Sequence, residues 1–264
     1  MELIAAGKTD LGIVRSNNED NFVVDEKLGL LVVADGMGGH AAGEIASIIA
    51  ISVISDHISG GQKFIGEYNN IYSPSTNNLN SALRLANSAI LEAAANSPQL
   101  HGMGTTVAAA LICGNRLSIA NIGDSRVYLV RSGNIEQLTD DHSMINEQLK
   151  HNLITREQAD NSSTKNYLTK ALGISAEMEA DLSELTLLGG DILLLCTDGL
   201  SNMISDEKIL EVILAVKKPD AICDLLINTA NEKGGKDNIT AVIGYIKKKK
   251  WGFALADYMA KFGR

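Results

Sequence analysis

TTVAAALICGNRLSIANIGDSRVYLVRSGNIEQL, residues 105–138, is the stretch that decides the architecture. Its apolar runs, Thr105 to Ile112, Arg116 to Ile122, Val127 to Val130 and Ile135 to Leu138, are short and rich in β-branched residues, as strands are. Asn115 and Ser132-Gly133-Asn134 fall between them and supply the residues that tight hairpin turns need. Further runs of the same kind lie on both sides: Asn21 to Val24, Leu28 to Ala34, Leu182 to Leu187, Ile192 to Cys196 and Ile239 to Ile246. Helical spacing marks Ile45 to Ile58 and Leu79 to Ala95, then Ser205 to Val216 and Pro219 to Glu232. Gly66 to Asn80, with five asparagines and Pro74, reads as a loop. Asp141 to Asn161 is mostly polar, with a helix-start pattern at Thr155-Arg156-Glu157-Gln158. Hairpin-linked strands with helices before and after predict an α+β layered fold rather than a parallel βαβ series. No Pro/Gly/Ser linker splits the chain, which predicts one domain over residues 1–246 and a tail over 247–264.

The 264 residues carry a net charge of −9 and only 4% aromatic side chains. That argues against a nucleic-acid partner, which calls for a basic surface and stacking rings. Cys113, Cys196 and Cys223 lie far apart with no CxxC. This predicts neither a disulfide framework nor a cysteine zinc site, and a cytoplasmic location. The first eight residues lack a secretory pattern. Ile45 to Ile58 is interrupted by Ser47, Ser52, Ser55, Asp56 and His57, too short and polar a run to predict a membrane span.

One pattern recurs: an apolar run stops at an acidic residue beside glycine. Leu30 to Ala34 runs into Asp35-Gly36, and Ile192 to Thr197 into Asp198-Gly199. Gly123 precedes Asp124, Gly234-Gly235-Lys236 precedes Asp237-Asn238, and Asn18-Glu19-Asp20 opens another strand. A single Asp-Gly is an ordinary turn dipeptide. The set means more, because strands on a common core bring their ends together. Carboxylates gathered that way repel one another unless cations neutralise them. With no Cys or His cluster beside them, Mg²⁺ or Mn²⁺ suits the oxygen donors better than zinc.

In order, Arg15-Ser16-Asn17-Asn18-Glu19-Asp20-Asn21, Asp35-Gly36-Met37-Gly38-Gly39-His40, Gly104-Thr105-Thr106, Gly123-Asp124-Ser125-Arg126, Thr197-Asp198-Gly199-Leu200 and Gly235-Lys236-Asp237-Asn238-Ile239-Thr240 resemble the metal-dependent protein serine/threonine phosphatases, the PPM or 2C-type family, in its bacterial branch. The resemblance covers about residues 3–246. It implies two packed antiparallel β-sheets flanked by helices on both sides, with a metal site at one end. It further implies that two Mn²⁺ or Mg²⁺ ions are held by Asp35, Gly36 (through its carbonyl), Asp198 and Asp237. Glu19 and Asp20 would complete the shell through waters. Asp124, with Asp198, matches the place of a third, weaker ion in some relatives, and Arg15 would grip the phosphate. A hydroxide between two such ions would attack phosphorus of phosphoserine or phosphothreonine, with no protein nucleophile.

The chain also departs from the family. Met37 occupies the place where many eukaryotic members carry a histidine proposed as general acid. His40, three residues on, reads as a polar residue near a helix start. His142 reads as structural. Asn161 to Asn166 lacks the His-Pro and Arg that relatives often show there, so flap contacts to substrate do not transfer. The expected partners are phosphoproteins, a serine/threonine kinase among them, and the expected state is a monomer. The alternatives are a catalytically silent phosphoprotein-binding domain and a two-metal hydrolase of small phosphate esters. In the tail, residues 247–264 carry six Lys/Arg and one Asp. Trp251, Leu255, Tyr258, Met259 and Phe262 are spaced to share one helical face. That face suits an anionic membrane surface, a partner protein or the acidic domain itself.

Overall fold

The computed structural model describes residues 1–38, 42–61, 64, 66, 68–155, 158–159 and 167–248. His40, Asn161 to Asn166 and the tail beyond Lys248 lie outside them. Two antiparallel sheets form the centre. The first is ordered β1 (Glu2–Asp10), β11 (Ile239–Lys247), β10 (Ile192–Cys196), β7 (Arg126–Arg131), β8 (Asn134–Gln137). The second is ordered β2 (Asp20–Asp25), β3 (Leu30–Met37), β5 (Val107–Cys113), β6 (Arg116–Ile122), β9 (Asp181–Thr186), with the two-residue β4 (Gly104–Thr105) on β3. Helices α1 (Ala42–Ser59) and α2 (Pro74–Asn96) cover the second sheet. Helices α5 (Asp206–Ala215) and α6 (Pro219–Glu232) cover the first. Between them come α3 (Met144–Lys150) and the one-turn α4 (Asp198–Ser201).

The uninterrupted apolar runs follow from this layering, because strands covered on both faces have no side to leave polar. On β3, Leu30, Val32 and Ala34 pack toward α1 and α2, while Leu31 and Val33 pack into the layer between the sheets. On β10, Ile192, Leu194 and Cys196 meet the helices, and Leu193 and Leu195 fill the same central layer. The predicted αββα sandwich is what forms. By length and composition α1 does pass for a membrane span, contrary to the sequence expectation. Its Ala42, Ala46, Ala50 and Ile54 are packed into the core.

Three elements differ from the sequence reading. Glu2–Asp10 forms an edge strand, β1, paired along its length with β11. Pro74 to Asn80 is the start of α2 rather than loop, since Ser73 caps the helix from its β-region backbone and proline suits a first turn. Polar Met144–Lys150 forms α3, capped by Ser143. The turn at Ser132-Gly133 joins β7 to β8 as predicted, both residues having positive φ (53° and 81°). Thr155 and Gln158 exchange the two bonds of a capping box, at 2.8 and 3.2 Å.

Candidate active site

The ends of several strands and of one helix meet at one edge of the sandwich and enclose a cleft of about 480 Å³. Arg15, Glu19, Asp35, Gly36, Asp124, Asp198 and Asp237 line it, with Met37 and Thr106. Every site residue expected from the sequence is therefore gathered there except Asp20, which sits directly beneath. Asp20 is paired across the β2–β3 ladder with Asp35 and is 4% exposed.

Local backbone contacts explain why these carboxylates converge. Thr105 Oγ1 and Thr106 N–H both donate to the Asp35 carbonyl, at 2.8 and 2.9 Å, and Asp35 N–H donates to Thr106 Oγ1 at 3.1 Å. Thus the Gly-Thr-Thr segment clamps the end of β3. Gly36 N–H and Ser47 Oγ donate to the Glu19 carbonyl, at 3.2 and 2.6 Å, which ties the β2 entry to β3 and α1. No side chain fits at Gly36, where a Cβ would run into the Gly43 carbonyl. Gly199 is equally constrained. Its Cα faces the Asn238 carbonyl so closely that the first turn of α4 and the start of β11 touch through backbone. That contact brings Asp198 and Asp237 to the same wall.

The residue that sequence reasoning left without a role is Asn238. Its Nδ2 donates to the carbonyls of Leu11 and Asn17, at 3.0 and 2.9 Å, and its Oδ1 accepts from Glu19 N–H at 2.9 Å. One buried side chain therefore binds the Leu11–Glu19 loop, which carries Arg15 and Glu19, to the root of Asp237. His142 has the structural role expected of it. Its Nδ1 accepts from Gly123 N–H at 3.0 Å and its Nε2 lies 3.1 Å from Asp181 Oδ2. It holds the turn that presents Asp124. Asp124 and Asp198 also face a second cleft of about 350 Å³, beside Arg126 and Asp141.

The electrostatics are those of a site built for cations. Burial first, then neighbouring carboxylates, pushes Asp35 well above the ordinary aspartate value. Burial likewise pushes Asp20 to about 7, with Asp198 and Asp237 adding to it against bonds from Thr240 and Thr197. Asp198 rises to about 6 through burial and Asp237, and Asp124 to about 8 through burial, Asp198 and Asp141. Arg15 Nη2 sits 2.6 Å from Asp237 Oδ2. Asp20 Oδ2 accepts from Thr197 and Thr240, at 2.8 and 2.7 Å, while its Oδ1 is buried with no partner. Among the described residues no three ligating side chains already close around one point. The protons that these raised carboxyls retain and the Arg15 contact are what a cation would replace. An all-oxygen donor set with an orphaned buried carboxylate oxygen fits Mg²⁺ or Mn²⁺.

Residues 14–242 match the family model described as protein phosphatase 2C. The serine/threonine phosphatase stp of Listeria innocua is 37% identical over 240 residues, 89% of this chain and 93% of that one. The serine/threonine protein phosphatase PstP of Mycobacterium tuberculosis is 38% identical over 250 residues, 94% of this chain and 46% of its own length. A crystal structure of the Mycobacterium tuberculosis enzyme superposes with a TM-score of 0.85 at 37% identity, covering 94% of this chain and all of that one. A PstP catalytic domain solved with two manganese ions gives 0.82 at 38% identity, covering 94% and 99%. With its fold, its cleft and most of its length in agreement, the chain belongs to the protein phosphatase 2C family.

Proposed function

We propose that this cleft hydrolyses phosphoserine and phosphothreonine in proteins, with two divalent cations, Mn²⁺ or Mg²⁺, as cofactors. The observation that carries the reading is the convergence of Asp35, Asp198 and Asp237 above the unpartnered Asp20 Oδ1. Asp35, the Gly36 carbonyl, Asp198 and Asp237 would hold the ions, and Glu19 and Asp20 would accept hydrogen bonds from their waters. Such a pair supplies Lewis acidity, lowering the pKa of water and neutralising phosphoryl charge. Arg15, half exposed at the mouth, is placed to donate to the phosphoryl oxygens, where most of the stabilisation in phosphoryl transfer is applied. Gly36 and Gly199 keep the walls close, and Asn238 keeps Arg15 and Glu19 facing them. Asp124 with Asp198 would hold a third ion between the two clefts. The full set of carboxylates speaks against a silent phosphoprotein-binding domain.

The protein acts as a cytoplasmic monomer on phosphoproteins, a serine/threonine kinase among its substrates. The test is hydrolysis of matched phosphothreonine, phosphoserine and phosphotyrosine peptides and a small aryl phosphate in Mn²⁺. Turnover of the first two well above phosphotyrosine supports the reading. A marked preference for the small ester supports the small-ester hydrolase instead.

A further inference from the structure

The outer face of α5 carries a groove of about 450 Å³. Its floor is apolar, made by Leu210 and Leu214, one turn apart on α5, and by Ile135 of β8. Its rim is acidic: Asp206, Glu207 and Glu211. Leu214 is 56% exposed, while its helix neighbours Ile209, Val212 and Ile213 are buried. The one lysine within α5, Lys208, is already engaged by Glu211 at 2.9 Å.

The sheet register places this groove at the end of the molecule from which the chain leaves. Tyr245 pairs with Ile192, Ile192 with Val130, and Val130 with Ile135. These four residues form one row, so the groove lies three strand spacings, roughly 14 Å, from the last turns of β11. Tyr245 hydroxyl also donates to the Val216 carbonyl at 3.3 Å, against the C-terminal end of α5. Sixteen residues, 249–264, follow Lys248. Fully extended they would reach up to roughly 50 Å, so a few residues bridge the gap and about three helical turns remain. Those residues carry Lys249, Lys250, Lys261 and Arg264 against one acid, Asp257. Trp251, Leu255, Tyr258 and Phe262 follow at steps of four, three and four, a single helical stripe. An apolar floor inside an acidic rim thus faces a basic segment with an apolar stripe, within reach and on the same chain.

We propose that residues 251–262 fold back as an amphipathic helix and seat their apolar stripe on Leu210, Leu214 and Ile135 of the same chain. Asp198, which follows β10, and Asp237, which precedes β11, lie at the opposite end of the sheet from the Ile192–Tyr245 pair, so the docked tail leaves the cleft open. The tail is then an internal cover for an apolar groove, and hydrolysis does not depend on it.

Trp251 is the only tryptophan in the sequence, which makes it a direct probe in the full chain. In the wild type its fluorescence is expected to be blue-shifted and protected from acrylamide, at every protein concentration. Leu214→Glu, at an exposed position, is expected to shift the emission to the red and raise quenching several-fold. Phosphopeptide turnover and circular dichroism stay unchanged. Glu207→Lys combined with Glu211→Lys, which leaves the floor intact, is expected to do the same. Equal Trp251 exposure in the wild type and both variants would overturn the proposal. So would protection that appears only on adding phosphatidylglycerol–phosphatidylcholine vesicles, which assigns the tail to a membrane surface. Protection that grows with protein concentration would also overturn it, since it assigns the groove to a second copy.

Discussion

Asp35 has its backbone clamped by Thr105 and Thr106, while burial and the neighbouring carboxylates push its carboxyl well above the ordinary aspartate value. Its position is therefore set by the fold and its charge state by its neighbours. Asp35→Asn, Asp198→Asn and Asp237→Asn each remove an anionic oxygen without changing side-chain shape. Each should cut turnover by orders of magnitude with the fold retained, as steady-state kinetics beside circular dichroism would show. Arg15→Ala removes one charge-assisted phosphate contact. Such a contact is worth roughly 1.5–3 kcal/mol, so kcat/KM for a phosphopeptide should fall about tenfold or more. An unchanged kcat/KM would place Arg15 outside the site. Asn238→Asp keeps the acceptor but loses both donors to the Leu11 and Asn17 carbonyls. KM should rise and Tm drop, since the Leu11 and Asn17 carbonyls lose the donor that ties their loop to Asp237. The acid-glycine strand ends made the ligand residues legible, because a carboxylate closing an apolar run has few cheap explanations. Asn238 was legible only as part of a motif. Its partners lie more than 200 residues away in the chain, and no local pattern announces them.

At the scale of elements, what the sequence showed depended on how much apolar surface each segment buries. β3 and β10 lie between two covered faces, and their unbroken apolar runs were read correctly. β1 was missed because it is an edge strand in which only Leu3 is buried. It also carries Gly7, against which the Phe22 ring packs too closely for any side chain. Polar α3 was missed for the same reason: among its residues only Ile145 is buried. Gly199 tests how elements position the site. Gly199→Ala would push α4 away from β11 at the Asn238 carbonyl. Mn²⁺ affinity should fall sharply in calorimetry while the far-ultraviolet spectrum is kept. Unaltered affinity would show that the α4–β11 contact does not set the spacing of Asp198 and Asp237.

For the whole molecule, the cleft makes folding and metal binding depend on pH together. Asp198, Asp20 and Asp124 titrate at about 6, 7 and 8 in the folded chain, against an ordinary value of 3.8. The metal-free folded state thus holds more protons than the unfolded chain between roughly pH 4 and 8, and its stability falls as pH rises through that window. A cation displaces those protons, so Mn²⁺ should stabilise most at the alkaline end. Thermal melts from pH 5 to 8, in chelator and in Mn²⁺, should diverge as pH rises. Parallel curves would mean that these carboxylates do not share a cation site. The most direct measurement is phosphate release from a phosphothreonine peptide by metal-stripped protein titrated with Mn²⁺. The account predicts no turnover without metal, full activity on addition, and loss of that activity with EDTA. Undiminished hydrolysis by the metal-stripped chain would contradict it.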